Sequence, residues 1–273
     1  MAISRTEFNA LKTRVTNLES GATTVNTKLA GLQTQINTLT DRVTKLELET
    51  PPPTALFSDM FPTDYTISGG QKSPDGKWLC EYTGGGKCGT RLYSDGKRVL
   101  FEYPATSTAT DGKETHASLV KTVPIFTNFE AKFKMRTIKQ LRQNFPVKNW
   151  EAAWIAWSYS NRIDLANRSV NHYYFVIKNQ GVEFGKKDNI ETNNNLEEQI
   201  FLPTVGSTNL VLSKWYDMIL RFKDFKTTII VDGVTMVDYT DTPNNPARMK
   251  TGSISLYNED SEVEFSGMTV NAI

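Results

Sequence analysis

Between residues 8 and 46 apolar side chains recur in alternating steps of three and four: Phe8, Leu11, Val15, Leu18, Ala22, Val25, Leu29, Leu32, Ile36, Leu39, Val43 and Leu46. A stripe of this period runs along one side of a helix and needs a partner helix to leave water. Lettered as heptads, the a positions are Phe8, Val15, Ala22, Leu29, Ile36 and Val43, and the d positions are Leu11, Leu18, Val25, Leu32, Leu39 and Leu46. In a parallel coil each g residue faces the e residue five positions on in its neighbour. Glu7 with Lys12, Arg14 with Glu19 and Arg42 with Glu47 all pair opposite charges. The pattern predicts a parallel coiled-coil stem over residues 1–50.

Strand number is less directly written. Leucine at d with β-branched residues at a leans towards two strands. Arg14-Val15-Thr16-Asn17-Leu18-Glu19 and Arg42-Val43-Thr44-Lys45-Leu46-Glu47 instead resemble the short trimerisation motif of coiled coils. In that motif the Arg lies over the core and bonds the Glu of the next chain. The expectation is a homotrimer held by Phe8, Leu11, Arg14, Val15, Leu18, Glu19, Leu29, Leu32, Ile36, Leu39, Arg42, Val43, Leu46 and Glu47, with a dimer as the alternative. Gly21 and Gly31 soften the middle of the stem by about 1 kcal/mol each.

Pro51-Pro52-Pro53 stops the helix, because proline lacks the amide proton and disfavours helix in the residue before it. Residues 51–54 read as a stiff linker and 55–273 as a head long enough for one sizeable core. There the period changes to two. Phe129, Ala131, Phe133 and Met135 alternate with Glu130, Lys132, Lys134 and Arg136. Residues Thr227–Tyr239 form a hairpin with Asp232-Gly233 at its turn. Further strands are expected at Trp150–Tyr159, His172–Lys178 and Tyr216–Phe222. Two more, Gly252–Tyr257 and Val263–Val270, close the chain. Short strands at regular spacing predict a mainly β fold, a sandwich or barrel.

Composition narrows the partners. A formal charge of +1 over 273 residues gives no general nucleic-acid footprint. No apolar run is long enough for a transmembrane helix. The N-terminus lacks the apolar core of a signal peptide, which suits synthesis in a host cytoplasm and leaves the end of the stem as an attachment point. The two cysteines, Cys80 and Cys88, flank Glu-Tyr-Thr-Gly-Gly-Gly-Lys, which reads as a hairpin loop. A disulfide across that loop and a pair of free thiols are both open. With only His116 and His172 to help, the cysteines make no metal site.

The series Trp150-Glu-Ala-Ala-Trp154-Ile-Ala-Trp157, His172-Tyr-Tyr-Phe-Val-Ile-Lys178, Gly181-Val-Glu-Phe-Gly185, Lys214-Trp215-Tyr216, Ile230-Val-Asp232-Gly233 and Gly252-Ser-Ile-Ser-Leu-Tyr257 with Glu264-Phe265 resembles the concanavalin A-like jelly-roll superfamily. The resemblance covers most of residues 55–273. It implies a two-sheet jelly-roll sandwich whose concave face binds glycans, in a superfamily of lectins, glucanases, polysaccharide lyases and binding modules. Stem plus head resembles the fibres, spikes and decoration proteins of tailed phages. That implies a homotrimeric virion protein whose N-terminus docks on other virion proteins and whose head binds host-surface glycans. A purely structural capsid decoration protein and a virion-tethered polysaccharide lyase or hydrolase are the alternatives.

The same residues carry the candidate chemistry. Jelly-roll glucanases carry their paired carboxylates on one strand, and the corresponding segment here offers only Glu151, so the head is expected not to be an enzyme. Glu259-Asp260-Ser261-Glu262-Val263-Glu264 reads as a solvated turn entering a strand. His172, Tyr173, Tyr174, Lys178 and Arg136 have the residue types of a lyase, but alternation puts Tyr173 and Tyr174 on opposite faces. The same rule puts Trp150 and Trp154 on one face and Trp157 on the other. Since sugar C–H faces stack on aromatic rings, the expected carbohydrate patch is Arg136, Glu151, Trp154, Tyr174 and Lys178. No cofactor is called for. Calcium, which the resemblance allows, would take Asp59 and the last strand, where Ser266-Gly267 replaces the acidic residues of the superfamily.

The stem reading has a direct check. Native mass measurement of the full chain at low micromolar concentration is expected to return three chain masses of 30.7 kDa. A single chain mass would sink it.

Overall fold

A computed structural model describes residues 5–49, 55–93, 96–160, 171–188, 199–244 and 246–273. The chain divides into two compact units, Met1–Pro52 and Pro53–Ile273.

The first unit contains one helix, α1 (Arg5–Glu49, 45 residues). Its threonines satisfy themselves. Thr13, Thr16, Thr23, Thr27, Thr34 and Thr38 each donate to the carbonyl four residues earlier, at 3.0–3.1 Å. Leu18 is 73% exposed and Leu32 56%. The helix thus leaves its apolar stripe outward. The linker expected at 51–54 lies outside the described residues.

The second unit is mainly β, a sandwich of two antiparallel sheets. Its strands are β1 (Ala55–Asp59), β2 (Tyr65–Ile67), β3 (Trp78–Tyr82), β4 (Lys87–Leu92), β5 (Arg98–Tyr103), β6 (Ala117–Thr122), β7 (Phe129–Gln140), β8 (Ala153–Tyr159) and β9 (His172–Ile177). They continue as β10 (Val182–Lys187), β11 (Ile200–Leu202), β12 (Tyr216–Lys223), β13 (Lys226–Val231), β14 (Val234–Thr240), β15 (Ser253–Glu259), β16 (Ser261–Phe265) and β17 (Met268–Ala272). One sheet has the order β14-β13-β12-β7-β16-β5-β4-β2, with β17 between β7 and β1; the other runs β11-β10-β9-β8-β15-β6-β3. One short helix, α2 (Pro246–Met249), precedes β15. Among the described residues no helix is long and apolar enough to cross a membrane.

The final run expected as a single strand at Val263–Val270 is divided at Ser266-Gly267. Phe265 pairs with Met135 and Thr269 with Lys132, so β16 and β17 follow one edge of β7 with a break between them. A side chain at Gly267 would meet Met60 Sδ at 2.4 Å and the Asp59 carbonyl at 2.8 Å. Glycine lets β1 pass at that point. The cysteine loop is also corrected. Cys80 lies on β3 and Cys88 on β4, in different sheets, so the loop crosses the sandwich edge instead of closing a hairpin. The two are free thiols with sulfurs 3.0 Å apart, both fully buried.

The core fills the space between the sheets. Trp157 stacks on Tyr173 (centroids 5.7 Å, 18°) and on Phe184 (6.0 Å, 6°). Beside them Lys186 Nζ donates to both oxygens of Asp241, at 3.1 and 2.9 Å, and the Tyr173 hydroxyl donates to the same carboxylate at 2.7 Å. A buried charge persists only when paired in this way. Trp157→Ala is expected to lower unfolding free energy by about 3–5 kcal/mol, and Asp241→Ala, which strands the Lys186 ammonium, by a similar amount. Urea denaturation of both variants checks this; a loss below about 1 kcal/mol in either would contradict it.

Candidate functional site on the seven-stranded sheet

The outward face of the seven-stranded sheet carries a continuous chain of ring contacts. Lys121 Nζ sits 5.4 Å from the Tyr159 ring, and Tyr159 lies 5.6 Å from His172. His172 is 6.2 Å from Tyr174, Tyr174 is 5.3 Å from Trp154, and Trp154 is 5.7 Å from Tyr257. Alternation explains the set. Trp157, Tyr173 and Phe175 point into the sandwich, so Trp154, His172 and Tyr174 point out.

Tyr159 joins this face through a local irregularity. Ser253 pairs with Tyr159 and Ser255 with Ala156, so β8 has one residue more than β15. Ser158 takes φ 52° there. The bulge shifts the alternation by one and turns Tyr159 outward. Gly252 permits it, since a Cβ there would lie 2.3 Å from the Ser158 carbonyl carbon. Gly185 plays a matching part on β10, where a Cβ would fall 2.3 Å from the Tyr174 hydroxyl.

Small residues, Ser255 and Ala156, occupy the middle of this face and large ones surround them. Trp154 is 5% exposed and Tyr174 2%, so these rings back the site rather than offer an open platform. Trp150, 40% exposed, stands at the rim, and its carbonyl accepts the Trp154 indole N–H at 2.9 Å. Tyr257, Glu259 and His172 are half-buried.

The electrostatics single out two groups. Burial, with Asp260 adding to it, raises the Glu259 carboxyl above the ordinary carboxylate range, although the Tyr257 hydroxyl donates to it. The Tyr257 bond measures 2.6 Å. Glu259 is thereby biased towards its acid form. Burial and then the Lys187 ammonium push His172 down to about 3, so its imidazole is neutral in neutral solution. His172 Nδ1 and Ser255 Oγ are buried on this face without a hydrogen-bond partner in the protein.

The expected patch is partly assembled. Trp154 and Tyr174 are in contact, and Lys178 Nζ donates to Glu183 Oε2 at 2.6 Å on the strand beside Tyr174. Arg136 belongs to the opposite sheet. Its guanidinium lies 4.5 Å from the Tyr93 ring and 4.5 Å from Trp215, and it pairs with Glu264. A strand of the ten-stranded sheet cannot send that side chain to the outward face of the seven-stranded one. Glu151 is corrected too. Fully buried, it accepts from Arg142 Nε at 2.5 Å, while Arg142 also holds Asp260 at 2.5 Å. It ties down loops at the sandwich end.

Nor is the acidic segment a solvated turn. Asp260 is fully buried, Glu264 binds Arg91 and Arg136, and Glu259 belongs to the face that carries Tyr257. Sequence reasoning missed Glu259, Tyr159, Lys121 and Ser255. Glu259 sits two residues beyond Tyr257, and that period-two spacing was the available signal. Asp59 does not fit a calcium ligand: its oxygens accept the Phe61 amide at 2.9 Å and the Trp78 indole at 2.8 Å. No group of three or more His, Cys, Asp or Glu suited to a metal occurs among the described residues.

Comparison with known proteins places this geometry in a family. A galectin-like protein of unknown function from Bacillus subtilis shares the fold, at 9% identity and TM-score 0.51, over 80% of this chain and 96% of its own. A carbohydrate binding module, CBM66, also from Bacillus subtilis, aligns at 12% identity and TM-score 0.47, covering 72% of this chain and 96% of the module. The Bacillus licheniformis beta-glucanase aligns at 10% identity and TM-score 0.46, over 82% and 100%. No curated protein matches the chain. The sequence pattern of the 3-keto-alpha-glucoside-1,2-lyase-like domain matches residues 69–271. This overturns the expectation of a head without enzymatic character, which had rested on the missing glucanase carboxylate pair; a lyase-like family has no need of that pair. With nearly the whole head covered, the chain belongs to the 3-keto-alpha-glucoside-1,2-lyase-like domain family.

Proposed function

We propose that the head binds a carbohydrate on the outward face of its seven-stranded sheet and cleaves it by elimination. The family name describes a lyase acting across C1 and C2 of a 3-keto-α-glucoside. A ketone at C3 acidifies the C2 hydrogen. Removing that hydrogen and expelling the C1 substituent needs a base, an acid and a wall for the sugar, and no carboxylate pair. The observation that carries this reading is one face holding a neutral imidazole, a carboxyl with a raised pKa and the Trp150, Trp154 and Tyr257 rings. Glu259 suits the acid that protonates the departing oxygen, because burial favours its proton-bearing form. Tyr257 orients its carboxyl through its O–H group.

The stem completes the proposal. The heptad and its charge pairs support a parallel homotrimer, which would hold three heads at high effective concentration and multiply a weak glycan affinity. The stem-and-head resemblance supports a virion appendage, anchored by its N-terminus, as the setting for that avidity.

The test uses the full chain with a methyl 3-keto-α-glucoside and its unoxidised parent. An enone chromophore is expected to grow only with the keto sugar. Glu259→Gln is expected to lower kcat by about 100-fold or more while changing parent-glucoside binding less than threefold. Absence of any elimination product from a panel of 3-keto glucosides would overturn the reading.

A further inference from the structure

Two thiols meet across the sheets at one edge of the sandwich. Cys80 lies on β3, the last strand of the seven-stranded sheet, and Cys88 on β4, one strand in from the edge of the ten-stranded sheet. Both side chains are fully buried, and their sulfurs are 3.0 Å apart. A disulfide bond is about 2.0 Å long, so a shift of roughly 1 Å separates the pair from bonding distance. The loop that joins the two strands holds a fixed path. Gly84 takes φ 59°, and a Cβ there would meet the Ala117 carbonyl oxygen at 2.4 Å. Its own carbonyl accepts the Ala105 amide at 3.0 Å, and the Gly86 amide donates to the Thr83 carbonyl at 3.1 Å. The loop therefore presents the thiols to each other in one geometry.

We propose that Cys80 and Cys88 form a reversible redox staple, which a peroxide closes into a covalent bond between the two sheets. The thiols lie between the sheets and not on the outward face, so the staple is independent of the elimination reading. Cys80 Sγ attacks one peroxide oxygen and the O–O bond breaks. The leaving hydroxide takes the Cys80 proton and becomes water. Cys88 Sγ then attacks the sulfenic sulfur of Cys80 and the S–O bond breaks. The departing hydroxide takes the Cys88 proton and becomes a second water. The two sulfurs together lose two electrons, and the peroxide gains them.

The surroundings give the two thiols different parts. The Cys88 thiol donates to Cys80 Sγ, and that hydrogen bond draws Cys80 below the ordinary thiol range. The same bond, with burial, pushes Cys88 up. Cys80 is thus the one that reacts as thiolate, and Cys88 resolves it. Glu102, opposite Cys88 on β5, is pushed well up by burial, so in neutral solution it adds no negative charge beside the pair. Access comes from the edge. Three-residue β2 pairs with β4 alone, and β3 has β6 on one side and only the bridge from Lys72 to Leu79 on the other. Cys80 faces Val120 and Tyr82 faces Leu119, so β3 bulges at Glu81, beside the thiol. Short and bulged edge strands open locally at less cost than the strands beneath them.

The experiment treats the reduced full chain with hydrogen peroxide under native conditions and maps its peptides without reduction. The expected product is one link between Cys80 and Cys88 within a single chain, with a mass loss of two hydrogens. Dithiothreitol is expected to reverse it, and the oxidised head to melt roughly 5–10 °C above the reduced one. In Cys88→Ser, where no second thiol completes the bond, dimedone is expected to trap Cys80 as its sulfenic acid. Met60, 61% exposed, shows by its sulfoxide that the peroxide has acted. Both thiols remaining free once Met60 is oxidised overturns the proposal. A link between chains, or a Cys80–Cys88 bond that leaves the melting temperature unchanged or lower, overturns it as well. A folded Cys88→Ser chain whose Cys80 resists dimedone overturns the assignment of Cys80 as the attacking thiol. Should Cys88→Ser fail to fold, the wild-type link and its melting shift decide.

Discussion

The pairing register of three central strands governs everything built on the head. With Tyr257 opposite Trp154, and Trp154 opposite Val176, β15, β8 and β9 place Trp157, Tyr173 and Phe175 inside the sandwich. The same register places Trp154, Tyr174 and Tyr257 on the outward face of the sheet. A slip of one residue would exchange the two sets, putting hydroxyls and a charged rim into the core. The stacked core of Trp157, Tyr173 and Phe184 opposes that slip, because no other register fills the same space. The site is thus held by the packing beneath it.

One deliberate break in that register gives the site its polar end. The extra residue on β8 near Ser158 brings Tyr159 out to meet His172 and Lys121. The strained φ at Ser158 and the bare backbone at Gly252 are the local requirements. They serve no visible packing purpose beyond this rotation. Backbone strain of this kind accumulates where a fold must aim a side chain.

Charge is distributed by a related logic. Arg136, Arg91 and the two glutamates of β16 form a network on the ten-stranded sheet, braced by Tyr93 and Trp215. Arg142 does the same for Glu151 and Asp260 at the sandwich end. Both networks absorb carboxylates that look chemically available in a linear reading. Glu259 escapes them: it is bonded by a phenol, a donor that leaves its acidity adjustable.

Much of the molecule was legible from periodicity alone. A three-four repeat determined the helix of the stem and a period of two determined β7, because those periods are the geometry of the elements themselves, while β8, β9, β12 and the β13–β14 hairpin were marked by short apolar runs and turn residues. The opposition of Tyr173 to Tyr174, and of Trp157 to Trp154, followed for the same reason. What only the tertiary structure decided was which sheet owns each strand and which carboxylate finds an arginine. Arg136 belonged to the expected patch until β7 was seated beside β12 and β16, and Glu151 until Arg142, nine residues earlier in the chain, folded back on it. Such pairings join residues distant in sequence or separated by a loop, and no local pattern encodes them. The union of His172, Tyr257 and Glu259 on one surface belongs to that second class, since it exists only once β9, β8 and β15 lie side by side.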